Sequence, residues 1–200
     1  MSRNRLGSLL LLAAVILLYG LWKSGYPGLW QYGIGKIADD TATFTDEGGH
    51  VLEGTYSLTL DLSDLDSNLG AELYNDGTHR IYVYWLEASG RSPGYEIGFR
   101  SSGHYTRSGA SLVSGIRHAS VDGGRSFTSE MSAVMTVEHP AGSFTAVPTG
   151  LGGLNYKDGD DFSFTITLTD DAADREESPM QSGTMTLTVT DLYMNLWRKK

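Results

Sequence analysis

Residues 162–169 (FSFTITLT) and 184–190 (TMTLTVT) decide the fold, because apolar and hydroxylated residues alternate strictly in both stretches. An alternation of period two places the apolar side chains on one face of a β-strand and the threonines and serines on the other. Strands of this kind are typical of antiparallel sheets that bury one face and expose the other. The same alternation recurs in residues 55–62 and 131–137, so we predict an all-β domain.

Further candidate strands lie in residues 42–45, 95–100, 111–118 and 143–147. Residues 80–86 (RIYVYWL) differ from these because they are apolar on both faces, which predicts a central strand or a strand whose second face is covered. Gly, Asn and Asp separate the strands at intervals typical of a sandwich. We therefore predict an antiparallel β-sandwich of about eight to ten strands, Ig-like or jelly-roll-like, with a small barrel as the alternative.

An uncharged run, LGSLLLLAAVILLYGLW, covers residues 6–22. As a helix it would be about 26 Å long, at the lower end of the lengths that span a bilayer. No pair of small residues marks a cleavage site after it, so we predict a retained transmembrane helix, with a cleaved signal peptide and secretion as the alternative. Trp22, Tyr26 and Trp30 follow at its distal end and are typical of a membrane–water interface.

Basic residues around this run predict its orientation. Arg3 and Arg5 precede the run, whereas only Lys23 follows it closely. The positive-inside rule then places the N-terminus in the cytoplasm and the remaining chain outside, as a single-pass protein of the cell membrane. The predicted organisation is a cytoplasmic tip at 1–5, the anchor at 6–22, a linker at 23–40, a β-domain at 41–191 and a basic, aromatic tail at 192–200.

Charge and cysteine content exclude several classes of function. The net charge is −9, but the region between residues 24 and 197 contains 9 basic and all 24 acidic residues and hence carries −15. A surface so acidic repels a phosphate backbone, so no nucleic-acid partner is predicted. The chain has no cysteine, which excludes disulfides, thiolate metal sites and a cysteine nucleophile.

The stretch SVDGGRSF predicts a tight β-hairpin. Ser120, Asp122, Gly124, Ser126 and Phe127 occupy positions at which an aspartate accepts backbone N–H bonds, glycine permits positive φ and an aromatic ring closes the hairpin base. The stretch resembles the Asp-box, S-x-D-x-G-x-[ST]-[WF], of sialidases and other propellers, in which it recurs once per blade away from the active site. A single copy implies a structural hairpin and no sialidase activity.

Two acidic turns are candidate calcium sites. Asp64, Asp66 and Asn68 have the spacing D-x-D-x-N, and Asp160 lies in a second acidic turn, KDGDD. The first stretch lacks the glycine and the glutamate that an EF-hand requires at positions six and twelve. Solvated Asx-turns are the alternative. No other cofactor is predicted.

Four tyrosines, Tyr82, Tyr84, Tyr95 and Tyr105, are candidate ligand-binding residues. If one face of the strand at 80–86 is exposed, Tyr82 and Tyr84 stand about 7 Å apart on it. Rows of aromatic rings bind sugars or protein partners. In the alternative, both faces are buried and only the hydroxyls reach the surface.

The final stretch, DLYMNLWRKK, breaks the alternation at Asp191. One prediction is a short helix that places Trp197 on an anionic membrane surface beside the terminal basic residues. The alternative is a frayed strand with a basic tail.

Sequence motifs give no catalytic residues. The chain has no G-x-S-x-G, no HExxH and no glycine-rich phosphate loop, so no enzyme is predicted. We predict a membrane-anchored extracytoplasmic module that acts by protein–protein interaction or assembly at the cell surface or in the periplasm. The alternatives are a carbohydrate- or calcium-dependent adhesion domain and a hydrolase whose site residues are distant in sequence.

Overall fold

The computed structural model describes residues 3–23, 25–90, 94–121, 126–139, 142–168 and 183–200. Strands comprise 54% of the chain, and the paired strands run antiparallel, so the β-rich class is confirmed. The helices are α1 (Arg3–Lys23), α2 (Tyr26–Tyr32) and α3 (Ile34–Asp39), with a 3-10 helix at Leu65–Asn68. The strands are β1 (Phe44–Thr45), β2 (His50–Val51), β3 (Tyr56–Asp61), β4 (Glu72–Asn75), β5 (Arg80–Ala88), β6 (Gly94–Ser102), β7 (His104–Thr106), β8 (Gly109–Ser114), β9 (Ile116–Val121), β10 (Ser126–Met131), β11 (Val134–His139), β12 (Gly142–Leu151), β13 (Asp161–Leu168), β14 (Thr184–Thr190) and β15 (Tyr193–Lys199).

The largest sheet has eight strands in the order β3-β14-β11-β12-β13-β6-β5-β4. Its edge strands β3 and β4 approach each other, so the sheet curls almost into a barrel. The predicted alternation is confirmed in β13 and β14, where Phe164 and Leu187 are among the fully buried residues and the threonines lie on the outer face. Burial of each such side chain stabilises the fold by about 1.5–3 kcal/mol.

The outer face of this sheet carries hydroxyl groups in register. Ser57 lies opposite Thr188 and Thr59 opposite Thr186, and each pair of hydroxyl oxygens is 3.3 Å apart. Cross-strand hydroxyl pairs of this kind add about 0.2–1 kcal/mol each. The pattern explains why threonine alternates with apolar residues in these strands.

The second sheet has the order β1-β15-β8-β7, with β2 also paired to β15. The short helix predicted for the tail at residues 192–200 is wrong. The alternative, a final strand, is correct except that the strand is not frayed, because β15 lies in the middle of this sheet and pairs with β8 from Tyr193 to Arg198. Asp191 has a φ of 58°, so the alternation breaks at a left-handed turn and then resumes. Trp197 is 2% exposed and therefore does not lie at a membrane interface.

The predicted linker at 23–40 is also corrected in part. Residues 26–39 form α2 and α3, and Ile34 and Ile37 of α3 pack against Leu112 and Trp197. Their spacing of three residues places both on one helix face. Gly33, with a φ of 53°, joins the two helices where a Cβ would lie 1.7 Å from the Lys157 carbonyl oxygen, so only glycine fits there.

The two strands beside the SVDGGRSF stretch pair antiparallel. In β9 and β10, Ser120 lies opposite Phe127 and Val121 opposite Ser126. Asp122 and Gly124 of the turn lie outside the described residues, as do the side chains of Ser126 and Phe127. The hairpin strands are therefore described, whereas the predicted turn chemistry stays a prediction.

Helix α1 exposes all of its described side chains. Nine large hydrophobic residues between Leu11 and Trp22 are 53–73% exposed. Trp30 on α2 is 69% exposed, whereas the side chain of Tyr26 lies outside the described part of the chain. Within the part that the structure describes, no helix combines the length and the apolarity needed to cross a membrane.

Candidate functional site

A β-bulge in β5 borders a polar cleft on the large sheet. The register with β6 shifts between Val83 and Trp85, so that one extra residue is accommodated on β5. Val83 and Leu86 on either side stay buried in the core. The bulge therefore turns both Tyr84 and Trp85 toward the outer face, which explains why residues 80–86 are apolar on both faces.

Tyr84 is held between a carboxylate and a guanidinium group. Its hydroxyl donates a hydrogen bond of 2.8 Å to Oδ2 of Asp161. The guanidinium carbon of Arg100 lies 4.6 Å from the centre of the Tyr84 ring and 3.8 Å from that of Tyr156. Burial and the hydrogen bond to Asp161 raise the pKa of Tyr84 to about 12, so the hydroxyl remains a fixed donor at neutral pH.

Trp85 lies against the backbone of β6. A Cβ on Gly98 would lie 1.7 Å from the indole Nε1 and within 2.4 Å of two further ring atoms. Only glycine leaves room for the indole at this point. The Trp85 ring also meets the Tyr84 ring edge to face, with centroids 6.2 Å apart.

A cleft of about 310 Å³ opens beside these two rings, at the lower end of the range for ligand pockets. Glycines keep it open, because a Cβ on Gly152 would lie 1.7 Å from Oδ1 of Asp161. Its polar side chains offer a carboxylate, an amide and a hydroxyl beside two aromatic rings. This combination can stack against and hydrogen-bond to a polyhydroxylated ligand. The side chains concerned are Tyr84, Trp85, Asn155, Asp161 and Ser163.

The structure separates the four predicted tyrosines. Tyr82 shares the outer face with Tyr84, but the Arg80 guanidinium covers its ring at 4.4 Å. The prediction for Tyr95 is wrong, because this residue is 4% exposed in the core and burial raises its pKa. Tyr105 packs against the cluster that holds α3, away from the cleft.

Sequence reasoning missed Asn155 as a site residue and considered Asp161 only as part of the acidic turn KDGDD, a calcium candidate. Asn155 lies in the connection between β12 and β13, and Asp161 is the first residue of β13. No periodic sequence pattern marks either position as functional. The apolar run at 80–86 was the available signal for Trp85. Its second apolar face pointed to an unusual strand, although not to a bulge.

Two of the calcium candidates already use their oxygen atoms in hydrogen bonds. Oδ1 of Asn68 accepts the Asp61 N–H at 2.8 Å, and its Nδ2 donates to backbone carbonyls. Asp64 accepts the Ser67 N–H and starts the 3-10 helix, while Asp66 is exposed. In the described ranges, no three His, Asp or Glu side chains cluster as a metal site. Calcium binding stays a prediction.

Asp160 belongs to a buried polar network between the sheets. Its Oδ2 lies 2.7 Å from Nε2 of His118, and both side chains are fully buried. Ser114 Oγ donates to the same carboxylate, and Ser129 Oγ lies 2.9 Å from His118 Nδ1. Asn195 of β15 accepts the His118 N–H at 2.8 Å. Ser114, His118, Asp160 and Asn195 are buried, whereas Ser129 is partly buried, and the network connects β8, β9, β10 and β15.

A second Asp–His–Ser chain lies at the start of β5. Asp76 Oδ2 is 2.8 Å from His79 Nδ1, and His79 Nε2 is 2.8 Å from Ser111 Oγ, which is the connectivity of a serine-hydrolase triad. Burial acts to raise the pKa of Asp76, but hydrogen bonds from His79, Thr78 and Tyr74 together hold it well below its usual range. The hydrolase alternative thus has a candidate residue set and stays a prediction.

Comparison with protein-family models, with curated proteins and with solved structures gives no match. The class of protein that the fold defines is therefore a mostly antiparallel β-domain with an N-terminal helix. Inference about function has to proceed from the chain's own residues.

Proposed function

We propose that the protein is a membrane-anchored extracytoplasmic β-sandwich module that acts by binding and not by catalysis. The exposure of α1 carries this proposal, because its described apolar side chains from Leu11 to Trp22 surround the helix on all sides. A helix that is apolar all round requires an apolar environment to cover it. The described part of α1 does not by itself have the length and apolarity of a membrane span. The proposal therefore depends on the whole uncharged run 6–22, whose length as a helix is at the lower end of the spanning range.

The distribution of basic residues supports the orientation within this proposal. Arg3 and Arg5 lie on the cytoplasmic side of the anchor, and the β-domain lies outside. Exposed Trp22 and Trp30 lie where the anchor meets the domain, at the level of the headgroups. Secretion after cleavage of the N-terminal segment is the alternative.

Flotation on vesicles tests the anchor. Full-length protein is expected to float with vesicles of zwitterionic lipid and to resist alkaline extraction. A Leu12→Arg/Ile16→Arg variant is expected to remain at the bottom of the gradient, because each arginine near the centre of a membrane helix costs about 2.5–3.5 kcal/mol.

The matched control is Val51→Arg/Val134→Arg, which adds the same charge at exposed apolar positions of the β-domain and should float like the wild type. A wild-type protein that does not float would contradict the anchor. So would an intact mass in the membrane fraction showing a chain that begins near residues 25–30.

The cleft beside Tyr84 and Trp85 favours a saccharide over a protein as the ligand of this module. Protein interfaces are usually wide and nearly flat, whereas this site is small, concave and lined by polar groups beside aromatic rings. The carboxylate of Asp161 and the amide of Asn155 supply acceptors and donors for sugar hydroxyls. The Trp85 ring supplies an apolar surface for the sugar ring.

Isothermal titration calorimetry with neutral oligosaccharides tests this second proposal. Trp85→Ala is expected to weaken binding about tenfold, since stacking on the ring is lost. Gly98→Ala is expected to weaken it as well, because the new Cβ displaces the indole.

Gly90→Ala is the control, since its Cβ meets open space. Retained affinity in Trp85→Ala, or no binding to any oligosaccharide, would exclude a saccharide site here. Repeating the titration with a chelator separates calcium-dependent from calcium-independent binding.

A further inference from the structure

Four basic side chains from distant parts of the chain meet in one cleft at the end of α1. Lys23 ends α1, Lys36 lies on α3, Arg107 lies in the turn between β7 and β8, and Lys199 ends β15. The cleft has a volume of about 380 Å³, and one acidic residue, Asp40, also lines it. The four residues are separated in sequence and converge only in the fold.

Backbone contacts fix the walls of this basic cleft. The Lys199 N–H donates to the Ser108 carbonyl at 3.0 Å, which holds the end of β15 beside the β7–β8 turn. On the other wall, the Lys200 N–H donates to the Thr43 carbonyl at 2.9 Å. Lys36 lies 3.9 Å from Asp40 and is about half exposed. These contacts hold the end of β15 beside the β7–β8 turn and residue 43, at the cleft that the four basic residues line.

The basic cleft has the opposite charge to the rest of the domain. The region between residues 24 and 197 carries −15, whereas three net positive charges line this cleft. A concave surface of one sign concentrates the field and attracts a counter-ion. A negatively charged ligand is therefore attracted to this cleft.

We propose that the basic cleft binds the phosphate headgroup of an anionic phospholipid in the leaflet next to the domain. This inference rests on the proposed anchor, because α1 ends at Lys23 and so delivers the cleft to the membrane surface. Leu29 and Phe44 also line the cleft and offer apolar contact to the glycerol and acyl carbons. Free phosphate would not use that contact.

The neighbouring surface is also suited to a headgroup region. Trp30 is exposed, and Nζ of Lys157 lies 5.0 Å from the centre of its ring. An aromatic ring beside a basic side chain is typical of residues at the membrane–water interface. Lys36 lines both the basic cleft and the neighbouring cleft that Lys157 lines.

Thermal unfolding of the full chain in a non-ionic detergent tests the inference. The probes are dihexanoylphosphatidylglycerol, dihexanoylphosphatidylcholine and inorganic phosphate at equal concentrations. Only the anionic lipid is expected to raise the Tm, by about 3–6 °C at ten times its Kd. A Lys36→Gln/Arg107→Gln variant should show no shift, whereas Arg117→Gln/Arg198→Gln, with the same change of charge outside the cleft, should shift like the wild type.

If the double variant fails to fold, Lys199→Gln takes its place, because Lys199 lies at an exposed strand end. This single variant should reduce the Tm shift caused by the anionic lipid about twofold. An equal Tm shift with inorganic phosphate would indicate a general anion site, and an equal shift with the choline lipid would indicate apolar contact alone. Either result would overturn the proposal. The absence of any Tm shift with the anionic lipid would overturn it as well. Because the short-chain lipid is in solution, these results do not depend on insertion of α1, which flotation on zwitterionic vesicles tests separately.

Discussion

Replacement of Asp160 by alanine is expected to destabilise the domain by about 3–5 kcal/mol, a large share of the free energy of unfolding of an ordinary domain. The carboxylate is fully buried and accepts hydrogen bonds from Ser114 and His118. Its removal leaves these polar groups in the interior without their acceptor, and water does not reach them there. The cost therefore comes mainly from the groups left behind.

Chemical denaturation, with secondary structure as the readout, measures this cost. Asp158→Asn is the matched control, because Asp158 is exposed and its replacement should change the free energy of unfolding by less than about 0.5 kcal/mol. Asp160→Asn retains one acceptor oxygen and should lie between the two. A loss below about 1 kcal/mol in Asp160→Ala would show that the network does not stabilise the fold.

Replacement of Trp197 by alanine is the second substitution with a large expected effect, again about 3–5 kcal/mol. Its ring is buried in the cluster that holds Ile34 and Ile37 of α3 against β8. The cavity left by the indole would loosen α3 from the sheet. Limited proteolysis between α3 and β1 should therefore accelerate along with the loss of stability.

Two variants separate the role of Trp197 from a general effect of losing tryptophan. Trp30→Ala removes an exposed ring and should be close to neutral. Trp197→Phe should cost less than alanine, since Nε1 of Trp197 is buried and has no hydrogen-bond partner among the described residues. Equal stability of Trp197→Ala and the wild type would mean that α3 docks by other contacts.

The sequence pattern predicted the faces of the long strands because each of them has a core face and a hydroxylated face. In β13 and β14, threonine marks the solvent face and the apolar residues mark the core. Residues 111–118 were predicted as one strand, but the structure has two, because β8 ends and β9 begins on either side of Gly115. A Cβ there would lie 2.5 Å from the Phe162 ring, which is a tertiary contact that no local pattern contains.

The elements that the sequence did not predict are short or depend on distant partners. Helix α3 has six residues, too few for a helical period to be distinguished from a linker. The bulge at Tyr84 depends on the register between β5 and β6. His118 and Asp160 are 42 residues apart, so their pairing follows from the topology. The cleft beside Tyr84 and Trp85 could not be predicted either, because its lining residues are distant in sequence.

The place of β15 has a consequence for the order in which the chain folds. This strand follows every other described strand in sequence, yet β1, β2 and β8 all pair with it. During synthesis, β1, β2 and β8 leave the ribosome long before residues 193–199 are made. Until then these strands cannot pair with β15. The second sheet therefore forms only after residues 193–199 have been synthesised, and a nascent chain halted before them lacks the strand that joins β1 and β2 to β8.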